Sequence, residues 1–298
     1  DFSEISLIEN VTLGGQLYQR VGYRGKLSFD YFHINETRRG GNDFHLPHHE
    51  ADISESAGHS INSAAINFDL LMREHDKFSV FVSGQDVQRN TYYGAEQDLS
   101  AYGETDDFTY SFGAQYIRNL DKFLFSPAII TSGLEVNGGI LVDEKLGYYD
   151  PKVDVHYGNT LVADQKSTTQ AAFLQSEWKT NKLIFSAGLR FDHYNIEDEA
   201  HSDDAIEGNV LSPRISLLYD VLDNLQFRAG FARGFRAPQI FDEDLHIETS
   251  GSRQVLHRND EDLKQESSNS YTASLDLSNL YGGWQYQFLV EGFYTQLI

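Results

Sequence analysis

Apolar and polar positions alternate with period two along most of the chain. Leu183, Phe185, Ala187, Leu189 and Phe191 share one parity, while Ser186, Gly188, Arg190 and Asp192 occupy the other. Tyr110, Phe112, Ala114 and Tyr116 alternate in the same way with Ser111, Gly113 and Gln115. Leu225, Phe227, Ala229 and Phe231 do so against Gln226, Arg228, Gly230 and Ala232. Successive side chains of a strand point to opposite faces, so the pattern predicts long strands, apolar on one side and wet on the other.

The connections between these runs come in two kinds. Short polar turns are expected at 75–77, 119–122, 180–182, 223–224 and 282–283. Between them lie long polar excursions, at 38–58, 93–107, 137–166, 197–208 and 236–266. Every hairpin is tight at one end and elaborate at the other, as in an outer-membrane barrel with short periplasmic turns and long extracellular loops. The predicted class is therefore all-β, an antiparallel transmembrane β-barrel of about eleven strands in this chain. An odd number, with the apolar alternation of Phe288–Ile298 running to the last residue, predicts a portion of a larger barrel, organised as one domain over 1–298.

Composition sharpens this picture. The 17 Tyr and 20 Phe favour strands over helices. No run of about eighteen apolar residues offers a transmembrane helix. Cysteine is absent, which removes disulfides and thiolate metal sites. The formal charge of −22 argues against nucleic-acid binding and would repel anionic lipid were the acids spread evenly. They are not: Glu96, Asp98, Glu104, Asp106, Asp107, Glu197, Asp198, Glu199, Asp242, Glu243 and Asp244 all fall in the long excursions.

Gly234-Phe-Arg-Ala-Pro238 ends a predicted strand, and Leu263-Lys-Gln-Glu266 follows about thirty residues later. With Gly188-Leu-Arg-Phe-Asp192 and Leu211-Ser-Pro-Arg-Ile215, these boxes resemble the barrel of TonB-dependent outer-membrane receptors, and Arg38-Arg-Gly-Gly-Asn42 resembles a subset of them. Glu261 and Gln265 stand where the second box usually carries proline. The resemblance implies a location in the bacterial outer membrane and uptake of a scarce metal complex, a ferric siderophore first, cobalamin or haem next. It also implies TonB-derived energy delivered through a plug domain with no counterpart in these residues, and a barrel of about twenty-two strands. Two other functions fit the alternation: a soluble β-sandwich binding module and a passive porin.

Candidate chemistry concentrates in the excursions. His45, His48 and His49 suit a divalent metal or the periphery of haem, or are a solvated polar loop. Asp242 and Asp244 could hold Ca²⁺ as a loop cofactor, or form a solvated acidic face. His246 and His257, between the two boxes, match by position the histidines of haem receptors. Arg228 and Arg236 point by alternation to the wet face, where guanidinium forks bind carboxylate or catecholate oxygens or pair with acids of the wall. Tyr92, Tyr93, Tyr148 and Tyr149 lie at loop-side strand ends, as girdle residues or as platforms for a ligand. No G-x-S-x-G, H-E-x-x-H or P-loop pattern occurs, and no enzymatic activity is expected.

Overall fold

The computed structural model describes residues 3–73, 75–200, 205–238 and 264–298, with side chains from residue 7 onward. The first strands are β1 (Ser3–Val21), β2 (Gly25–Gly41), β3 (Ile53–Leu71), β4 (Lys77–Ala95), β5 (Tyr102–Phe123) and β6 (Ser126–Lys145). A separate loop hairpin contains β7 (Tyr149–Asp150) and β8 (Val155–His156). There follow β9 (Thr160–Lys179), β10 (Leu183–Asp198), β11 (Ile206–Leu222), β12 (Leu225–Arg236), β13 (Glu266–Tyr281) and β14 (Trp284–Leu297).

Apart from β7 and β8, the strands form one antiparallel sheet in sequence order, each paired with its chain neighbours. Among the described residues the other sheet is the two-stranded β7–β8 hairpin, too small to form the second layer of a sandwich. The sheet has twelve strands where eleven were expected, because a sixth tight turn lies between Val21 and Gly25. That turn, Gly22-Tyr-Arg24, is not marked by a polar run; Gly22 makes it possible by adopting φ of 64°. The turn expected at 119–122 is also displaced. β5 continues to Phe123 through an irregularity in register after Leu120, and the chain reverses at Leu124-Phe125, with Leu124 at φ 60°.

The twelve strands of this sheet run from 12 to 22 residues. About ten suffice to cross a bilayer, so most project beyond it. The polar excursions are accordingly shorter than their composition suggests: β6 extends to Lys145 and β9 begins at Thr160.

Register fixes the two faces. Val82, Phe112 and Val136 lie in one cross-strand row, and Leu174 and Leu189 in another. These side chains, exposed except for the half-buried Val136, belong to an apolar belt on one face. At its tight-turn edge Trp178 stacks between Phe125 and Phe185, with ring centroids 5.3 and 5.6 Å away, and its indole N–H donates to the Phe123 carbonyl at 3.0 Å. An aromatic amphiphile at that level is the signature of a membrane–water interface. The opposite face is polar and concave, since residues from β1 to β6 and from β9, β10 and β12 surround a common space. On the same face Arg190 bridges Glu135 at 3.1 Å and the buried Asp192 at 2.8 Å.

Several bulky rings on the concave face lie directly opposite a cross-strand glycine. Phe81 covers Gly113, Phe173 covers Gly133 and Tyr194 covers Gly208. A small buried cluster forms where Tyr194, Ile196 and Val210 pack with Ile206, Phe235 and Ala237.

Candidate functional site

A cavity of about 1190 Å³ occupies the loop-side half of the concave face. Its position follows from the register. Asn10, Glu36, His59, Arg89, Thr105 and Asp143 form one continuous cross-strand row from β1 to β6. One row deeper are Ile34, Ile61, Val87, Asp107 and Leu141. Because facing residues recur every second position, the polar wet face of each strand contributes to the same wall.

On the far side Gln165, Ser167 and Thr169 of β9 line the space, and Arg236, Ala237 and Pro238 close over it. β12 parts from β11 after Ala232 but stays paired with β13 as far as Arg236. This lets the Gly234–Pro238 box turn into the barrel. Tyr194 holds it there, stacking on Phe235 at 6.2 Å and donating from its hydroxyl to Gln265 Oε1 at 2.8 Å.

The cavity carries three arginines, Arg38, Arg89 and Arg236, and His59, against two carboxylates, Glu36 and Asp107. Its sign is thus opposite to that of a chain with net charge −22. Glu36 is already engaged, accepting from Arg38 Nε at 2.6 Å and from Asn10 Nδ2 at 2.8 Å. Asp143 accepts from Thr105 Oγ1 at 2.5 Å and is almost fully buried.

The other candidate residues are distributed as follows. Arg236 lines the cavity. Arg228 shares its face but sits deeper, donating to Gln226 at 2.7 Å and lying 3.5 Å from Asp276. Tyr93 has the parity of Arg89 and Thr91 and is half-buried, one turn of the pleat nearer the loops.

Tyr92 has the opposite parity and is consumed by packing. It is 1 % exposed, donates to the Asp98 carbonyl at 3.0 Å and leans on Tyr102 at 4.7 Å. Burial pushes its phenol up to about 12, so it remains a neutral donor. His48 stacks on this ring at 5.7 Å and meets Ser54 Oγ at 3.1 Å, while His49 meets the Tyr102 hydroxyl at 2.9 Å. These two histidines, with Tyr92 and Tyr102, fasten the β2–β3 loop to the outside of the wall above the apolar belt. His45 does not join them in a ligand set: among the described residues no three His, Asp or Glu side chains are grouped to hold a metal ion.

Tyr148 stacks on Tyr157 at 4.9 Å, and Tyr149 packs on His156 at 4.6 Å while donating to Asp154 at 2.7 Å. They build the β7–β8 hairpin. His246, His257, Asp242 and Asp244 lie outside the described residues. Sequence reasoning missed Arg38, His59, Arg89 and Asp107 as a group. Each looks ordinary on its own strand, and only the register between strands brings them together.

A family model described as TonB dependent receptor-like, beta-barrel, matches residues 6–297. No curated protein matches the chain. Among solved structures, the copper transporter OprC superposes with a TM-score of 0.72 at 12 % identity, covering 98 % of this chain and 46 % of that one. The siderophore receptor PiuA from Acinetobacter baumannii gives 0.70 at 8 % identity, covering 94 % and 49 %. A double mutant of the Serratia marcescens hemophore receptor HasR, in complex with its hemophore HasA and heme, gives 0.69 at 14 %, covering 98 % and 45 %. At these identities the likeness concerns the fold, and the chain spans just under half the length of these three structures.

Proposed function

The chain belongs to the TonB dependent receptor-like β-barrel family, and we propose that its protein captures a ferric siderophore at the outer face of the bacterial outer membrane and imports it. The observation that carries this reading is the cationic cavity on the loop side, where Arg38, Arg89 and Arg236 converge inside an otherwise acidic molecule. Guanidinium forks match the oxygen donors and peripheral carboxylates of ferric chelates. Long acidic loops then form the entrance and the arginines the seat.

Cobalamin and haem are the next ligands in order: Ile34, Ile61, Val87, Leu141 and His59 in the same wall would suit a haem, and the three arginines favour the ferric siderophore over it. Energy from an inner-membrane TonB complex, delivered through a plug inside the barrel, completes the cycle.

The test is radioiron uptake under iron limitation. Cells with the protein should accumulate iron from a ferric siderophore, and a deletion strain should not until complemented. Equal uptake by both strains across a panel of ferric siderophores would refute the receptor reading.

A further inference from the structure

We infer that the ligand presents an exposed oxyanion, a carboxylate or a group of similar charge, that docks on Arg89 and His59; this rests on the receptor reading above. Arg89 and His59 are direct cross-strand partners at the centre of the row from β1 to β6. Both acids of that row are committed elsewhere, Glu36 to Arg38 and Asn10, Asp143 to Thr105. Asp107, the remaining carboxylate in the cavity, is paired across from Val87, and no ion pair links it to Arg89.

Arg89 makes no side-chain hydrogen bond or ion pair among the described residues, and its Nε is buried without a partner. Its terminal amino groups are therefore uncommitted, and a ligand oxygen reaching them from the cavity gains a charge-assisted bond. The surroundings favour the same event. Ile34, Ile61 and Val87 form an apolar floor one row deeper, which weakens screening of the charges above it. In the row nearer the loops β3, β4 and β5 carry only Ala57, Thr91 and Gly103, small residues that leave the guanidinium accessible from outside. Arg38, in that same row on β2, stands beside the opening but is held by Glu36. Arg89 is thus a specificity-determining residue, selecting anionic over cationic chelates.

The experiment is equilibrium dialysis of the detergent-solubilised protein against two radioiron probes of opposite charge, ferric citrate and the cationic trihydroxamate ferrioxamine B. Wild-type protein should prefer ferric citrate. Arg89→Gln should weaken that binding by roughly tenfold or more, and leave ferrioxamine B where it was. His59→Gln, which keeps the ring's approximate volume, is the second variant should Arg89→Gln fail to fold, and should shift the preference in the same direction. Equal binding of both probes, unchanged by either substitution, would overturn the anion assignment while leaving the receptor reading intact. Binding of neither probe by the wild type would overturn the receptor reading itself.

Discussion

Tyr194→Ala should release the Gly234–Pro238 box from the cavity wall. Tyr194 is 1 % exposed and touches three elements at once: Gly208 opposite it, Phe235 of β12, and Gln265 before β13. A buried aromatic side chain hides about 150–250 Å². At about 25 cal/mol per Å² its removal forfeits about 4–6 kcal/mol of burial. Partial collapse of Phe235 and Ile196 into the space lowers the expected loss to about 3–5 kcal/mol. Tyr194→Phe keeps the ring and strips only the hydroxyl, leaving Gln265 Oε1 without its donor, at about 1 kcal/mol. Because the box is attached at both ends, the loss should appear as local opening while the sheet persists. Hydrogen exchange of the peptide covering 232–238, read by mass spectrometry, measures this directly. Tyr194→Ala should speed its exchange by about a hundredfold or more, and Tyr194→Phe by about fivefold. Wild-type exchange in Tyr194→Ala would refute the clamp and detach the box from the cavity.

Three other perturbations test different parts of the structure. Gly133→Ala would set a Cβ 2.7 Å from the Ala114 carbonyl and 2.4 Å from Phe173 Cζ. The carbonyl cannot yield, so denaturant unfolding in detergent should show a loss of about 1–3 kcal/mol. Arg190→Met leaves Glu135 and the buried Asp192 without their common cation. A loss of about 3 kcal/mol is expected, much of it recovered when Asp192→Asn is added. The β2–β3 loop should loosen in acid, because burial, Arg39 and His49 hold His48 below its ordinary 6.5. A depressed histidine favours the folded loop above the unfolded value and loses that contribution as pH falls below it, so proteolysis at 45–50 should rise as the pH falls below 6.5. His48→Phe, which keeps the stack on Tyr92, should flatten that rise.

The faces of the strands were legible in the sequence because period-two alternation is a one-dimensional signal. Phe185–Phe191 and Phe227–Phe231 therefore stand on the apolar side as expected. The rhythm of tight turns and long loops was legible for the same reason, except at Gly22–Arg24 and at Leu124-Phe125, neither of which carries the usual polar run. The long excursions were drawn too wide. Polar residues such as Asp106 and Glu144 remain paired in the sheet above the membrane, where both faces meet water. The site was the least legible part. Arg236 could be placed by parity alone, but His59 and Arg89 become neighbours only through pairing of β3 with β4. Tyr92 and His48 misled for a related reason: nothing in their spacing says that the loop folds outward onto the wall rather than over the opening.

Anomalous diffraction at the iron edge, from crystals of the protein grown with an anionic ferric siderophore, tests the central claim most directly. An iron peak inside the barrel on the loop side, with chelate oxygens toward Arg89 and His59, is the expected result. Chelate bound only on the outer wall, or none bound under conditions where the same protein supports uptake, would contradict it.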